Sequence, residues 1–76
     1  MEHPLIERNP NVMLGKPIIK GTRITIELIM RKLADGFTVD DIIAMYPHLT
    51  LQLVQAAFAY AADKIADEIV LEAAAA

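Results

Sequence analysis

The sequence predicts a mostly α-helical fold. A three-helix helix-turn-helix core follows a short N-terminal β hairpin or ribbon and runs into an extended C-terminal helix. Three observations predict it. Apolar residues recur at helical spacing from Ile26 onward, in three runs. Each run follows a threonine able to cap it, namely Thr25, Thr38 and Thr50. Before Thr25 the pattern changes to short β-branched runs broken by proline and glycine.

The extended segment, residues 5–24, comes first. Leu5-Ile6-Glu7-Arg8 reads as a short strand, and Asn9-Pro10-Asn11 as a turn, since proline fixes its φ and asparagine tolerates unusual backbone angles. Val12-Met13-Leu14 is apolar, Gly15-Lys16-Pro17 breaks it, and Ile18-Ile19-Lys20 is a second short strand. Gly21 permits a sharp bend. An isolated ribbon of this size is unstable, so it must pack on the helices or on a second chain.

The helix-turn-helix core is expected over residues 25–62. Ile26, Ile29, Met30 and Leu33 form the stripe of the first helix, which Asp35-Gly36 ends. Thr38 caps the second helix, and Asp40 and Asp41 suit the positive end of its dipole. Pro47 disfavours helix at Tyr46, so this helix spans about two turns. Thr50 caps the third helix, expected from Leu51 to about Leu71. Val54, Ala57, Phe58, Ala61, Ile65 and Ile69 are its apolar stripe. Residues 63–76 form its extension, with Ala73 to Ala76 a frayed end or an added remnant.

Size and composition bound the rest. The 76 residues make one domain, and 55% of them are apolar, above the ~45–50% usual in soluble domains. A chain this short buries only about 60% of its unfolded surface, so a homodimer or higher oligomer is expected. Cysteine is absent, which excludes disulfides and thiolate metal sites. No apolar run is long enough to span a membrane, and Met1-Glu2-His3-Pro4 lacks the basic and apolar regions of a secretory signal. The expected compartment is the cytoplasm. Charge is segregated: residues 1–32 carry six cations against three acids, net +3, and residues 33–76 carry Lys64 against seven acids, net −6. Such asymmetry suits a basic face for an anion and an acidic face for a basic protein.

Few residues invite chemistry. Gly21-Thr22-Arg23 lacks the pattern of a phosphate loop. There Gly21 bends the chain, Thr22 bonds the turn, and Arg23 pins it to Asp40 or Asp41 or reaches a phosphate. His3 and His48 have no ligand set at zinc spacing, and His48 beside Pro47 reads as a turn residue. Asp40 and Asp41 are adjacent on a helix and do not face one another. No catalytic residues, metal, cofactor or small-molecule substrate are therefore expected. Among the aromatics, Phe37 and Phe58 are expected in the core, and Tyr46 and Tyr60 partly exposed.

A two-turn helix, the turn Tyr46-Pro47-His48-Leu49 and a capped third helix form a helix-turn-helix skeleton. In such a motif the first residues of the second helix meet base edges, here Thr50, Leu51, Gln52 and Gln55. Glutamine pairs with adenine through two bonds, and threonine bonds a base or touches a thymine methyl. The third helix carries no cation before Lys64, so phosphate attraction falls to Lys16, Lys20, Arg23, Arg31 and Lys32.

Several stretches carry a family resemblance. They are Asn9-Pro10, the run GKPIIKGTRI from Gly15 to Ile24, Leu33 to Ile42, Tyr46 to Thr50, and Ala56 to Ala61. Over about residues 5 to 62 the chain resembles domain-of-unknown-function family 433, whose hallmark is GKPIIKGTRI. The resemblance implies a homeodomain-like or winged-helix-like fold and a role like that of VapB-type antitoxins, encoded beside a PIN-like ribonuclease toxin. The expectation is a dimeric antitoxin. It would contact promoter DNA through Lys16, Lys20, Arg23, Arg31, Lys32, Thr50, Gln52 and Gln55. It would hold its partner protein through Asp63, Ile65, Asp67, Glu68, Ile69 and Glu72. The alternative is a dimeric protein–protein interaction module that binds no DNA.

Overall fold

The computed structural model describes residues 2–75, with side-chain surroundings described for residues 2–67. Two strands, β1 (Ile6–Glu7) and β2 (Ile18–Ile19), pair antiparallel with Ile6 opposite Ile19 and Glu7 opposite Ile18. Helices α1 (Ile26–Ala34), α2 (Val39–Met45) and α3 (Leu51–Ala75) follow. Each helix packs against the other two, and β1 packs on α3. The ribbon thus gains from the helices the support it cannot supply itself.

Local chemistry sets the helix ends. The Thr25 hydroxyl accepts from Leu28 N–H, 3.0 Å away. Thr38 and Asp41 form a reciprocal capping box at 3.1 and 2.9 Å. Thr50 accepts from Leu53 N–H at 3.2 Å. At the end of α1, Gly36 takes φ +98°. Its N–H donates to Leu33 O, and Phe37 N–H to Lys32 O, which together close a Schellman motif. That geometry corrects the expectation that Phe37 is core. It swings outward, is 40% exposed, and lies under the Lys32 ammonium 5.2 Å from its ring centre. The helix α3 runs to Ala75, four residues past the expected end.

The core is built from Ile19, Ile26, Ile29, Ile42, Leu49, Val54 and Ala57, so β2, each helix and the α2–α3 turn contribute buried side chains. Phe58, Tyr46 and Tyr60 pack partly buried against it. Among the described residues no buried side-chain polar atom lacks a partner.

The connection between the strands is the unusual part. Met13, Leu14 and Gly15 form a single turn in which all three take positive φ, at 50°, 59° and 77°. For residues with a side chain this costs about 1–3 kcal/mol each. Asn9 Oδ1 accepts from Asn11 N–H at 2.9 Å, and Arg8 Nε donates to Gly15 O at 3.0 Å, so the loop is tied at both ends.

Candidate nucleic-acid interface

The segment Gly15 to Ile24 earns its composition residue by residue. Ile18 and Ile19 enter the interior, while Pro17 O accepts from Ile26 N–H at 3.0 Å and ties the segment to the start of α1. Gly21 turns the chain at φ +78°, and its N–H donates to Glu7 Oε1 at 3.1 Å. The Thr22 hydroxyl donates to Ile19 O at 2.8 Å and accepts from Ile24 N–H at 3.0 Å. The turn is closed by these groups, and Arg23 plays no part in it. Among the described residues no ion pair joins Arg23 to Asp40 or Asp41, which corrects the pinning role expected for it. Asp41 is already committed to the capping box.

The structure sorts the five expected phosphate-binding cations. Lys16 Nζ and Arg31 Nε converge on Glu27, at 2.7 Å from Oε1 and 3.1 Å from Oε2. One carboxylate therefore offsets two cations, leaving that cluster at net +1. Lys32 stacks on Phe37 and has no ion pair among the described residues. Lys20 and Arg23 are exposed and free of ion pairs among the described residues. Lys16 and Arg23 also share the lining of one open hollow of about 380 Å³, with Pro10, Asn11, Met13 and Leu14. Nothing in the sequence marked Glu27 as the hub, although its spacing of four to Arg31 is the usual helical ion-pair spacing.

The hydrogen bond from Lys16, then that from Arg31, holds the Glu27 carboxyl below its ordinary pKa. A depressed folded value means the pairing is fully present above the unfolded value and is lost as pH falls through the folded one. We expect the Glu27 carboxyl carbon to titrate by NMR at lower pH than a glutamate in an unstructured peptide. Lys16→Ala with Arg31→Ala should return the midpoint to the peptide value; an unmoved midpoint would refute the pairing.

The expected base-reading residues lie together. Thr50, the cap of α3, and Gln52 and Gln55 on its first turns are all exposed, beside Leu51, which is also exposed. The neighbouring positions Val54 and Ala57 are buried, so the polar face is turned outward by the packing of the same helix.

The expected partner surface divides. Asp63 is tied within the chain: its Oδ2 meets His3 Nε2 at 2.7 Å, and the His3 ring stands edge-on to Tyr60 with centroids 5.2 Å apart. This clasp joins residues 60 positions apart and had no sequence signal. Ile65 is 52% exposed and Asp67 is exposed. Glu68, Ile69 and Glu72 fall outside the residues whose side chains are described. Among the described residues no group of three or more histidine or acidic side chains is placed to hold a metal, and no helix is long and apolar enough to cross a membrane.

These features define a small three-helix module with a helix–turn–helix connection between α2 and α3 and a two-stranded ribbon at its edge. The family model described as Protein of unknown function (DUF433) matches residues 6–61, and the chain belongs to that family. A crystal structure of a DUF433 member protein from Anabaena variabilis ATCC 29413 superposes with a TM-score of 0.75 at 28% sequence identity, covering 92% of this chain and 68% of the other. No curated protein matches the chain.

Proposed function

We propose that the chain is a non-catalytic, cytoplasmic, dimeric helix-turn-helix protein that acts as an antitoxin, binding promoter DNA and a PIN-like ribonuclease toxin. The observation that carries the DNA half is the cluster of Thr50, Gln52 and Gln55, exposed at the start of α3 directly after a two-turn α2 and a tight turn. Lys20, Arg23 and Lys32 supply phosphate contacts, joined by Lys16 and Arg31 when DNA competes with Glu27. The acidic end of α3, with Asp67 exposed, suits the basic surface of a nuclease.

A gel shift on the DNA upstream of the coding sequence, at two salt concentrations, tests the first half. Binding is expected at low salt and is expected to fall steeply as salt rises; absence of a shift at low salt would remove DNA from the proposal. Co-expression with the adjacent reading frame tests the second half: co-purification and relief of toxicity are expected, and neither appearing would sink it. The alternative, a dimeric interaction module without DNA, draws on the Glu27 cluster, which neutralises part of the positive charge, and on α3 having Lys64 as its sole cation.

A further inference from the structure

Two anomalies of this structure complement each other. The first is the loop between the strands. It holds Met13, Leu14 and Gly15 at positive φ, a region that side-chain-bearing residues rarely occupy. The loop is not slack: Gly15 N–H donates to Val12 O at 3.1 Å, Lys16 N–H to Met13 O at 3.1 Å, and Arg8 Nε to Gly15 O. This ordered, strained backbone presents Leu14 at 93% exposure. Leu14 and Met13 line the open hollow together with the cations Lys16 and Arg23.

The second anomaly is the exposed stretch of α3 after Asp63. Its last partly buried described residue is Asp63, and Lys64 to Asp67 are all exposed, Ile65 among them. From Lys64 to Ala75 the helix adds 12 residues, about 18 Å of arm. In sequence, residues 64–76 carry three acids against Lys64, a net of −2. The molecule thus offers an open hollow lined by Met13, Leu14, Lys16 and Arg23, and an exposed stretch of α3, Lys64 to Asp67, that includes Ile65.

We propose that the α3 arm of one copy seats in the loop hollow of a second copy, and that the exchange is reciprocal about a two-fold axis. Ile65 meets Met13 and Leu14, and the exposed Asp67 faces Arg23, a lining cation with no ion pair among the described residues. Reciprocity makes the contact twice and closes the assembly at two chains rather than propagating a filament. It also covers the apolar side chains that a single small domain leaves in water. This inference rests on the dimer of the proposed function and assigns the interface it uses when neither DNA nor a basic protein partner is bound, since both compete for Arg23 and for the arm. In the absence of a basic partner, the acidic arm then rests on the basic loop of its own kind.

The natural absence of cysteine makes the test direct. Leu14→Cys and Ile65→Cys are both exposed substitutions and are prepared as separate proteins. They are mixed in equal amounts, oxidised mildly in a glutathione buffer and resolved on a non-reducing gel with mass spectrometry. The mixed Leu14→Cys/Ile65→Cys disulfide is expected in large excess over either self-linked species, and Arg23→Glu in the Leu14→Cys partner is expected to cut its yield severalfold. Predominance of the Ile65→Cys self-link would show arms paired with each other and overturn the seating while leaving a dimer in place. A dimeric mass by light scattering with no disulfide of any kind would overturn the seating likewise. A monomeric mass at high concentration would overturn both the seating and the dimer.

Discussion

Replacing Ile42 with alanine is expected to destabilise the fold by about 3 kcal/mol, a large share of what holds it. Ile42 lies on α2 with no exposed surface, and α2 packs against both α1 and α3. It belongs to the same core cluster as Ile29 and Val54, both equally buried. Truncating a buried isoleucine loses transfer free energy and leaves a cavity, about 2–5 kcal/mol together. A domain of this length has only about 4–11 kcal/mol in total. In urea, with a slope near ~1 kcal/mol per molar for so small a domain, the midpoint should fall by about 3 M. Met45→Ala, on the same helix but 39% exposed, is the control and should stay within about 0.5 kcal/mol of the parent. Both variants are compared at one protein concentration, because self-association adds stability that depends on it. Equal effects from the two substitutions would mean that α2 is not docked as described.

The elements that depend on neighbours a few residues away were legible in the sequence. Thr25, Thr38 and Thr50 cap because a hydroxyl reaches the N–H three residues on, a relation local enough to read from spacing. The bend at Gly21 and the bonding of Thr22 are local for the same reason. Exposure of Thr50, Gln52 and Gln55 followed from the helical period that buries Val54 and Ala57.

What escaped depends on distance or on conflict between rules. The His3–Asp63 clasp spans nearly the whole chain, and no periodic pattern links its ends. Phe37 obeys two signals at once, hydrophobicity pointing inward and the glycine cap pointing outward, and the backbone decides. Val12-Met13-Leu14 reads as an ordinary apolar run, yet the tie from Arg8 to Gly15 O accompanies a left-handed turn that its side chains alone would disfavour. The cations of the site looked alike in sequence, and Glu27 divides them by pairing with two.

That division sets the second large effect. If the chain binds DNA, Lys20→Ala with Arg23→Ala is expected to weaken binding on every sequence, because exposed cations without ion pairs act on phosphates. Each phosphate contact contributes about 0.9 to the slope of log affinity against log salt, and two chains on one site lose four contacts from two substitutions. The slope should therefore flatten by about 3 to 4. Gln52→Ala should behave differently. It removes a base contact, costs about 1–3 kcal/mol on the preferred site alone, and leaves the slope unchanged. Lys16→Ala should fall short of Lys20→Ala in its effect on slope, since Glu27 already holds the Lys16 ammonium at 2.7 Å and binding DNA must first break that pair. Fluorescence anisotropy over a salt series on specific and scrambled duplexes reads all of these quantities. If the Lys20 and Arg23 pair and Gln52 proved indistinguishable, contacts to backbone and to bases would not be divided between the basic segment and α3. If neither moved the affinity, DNA would be held by another surface, and if no duplex bound at all, the interaction module without DNA would be the correct account.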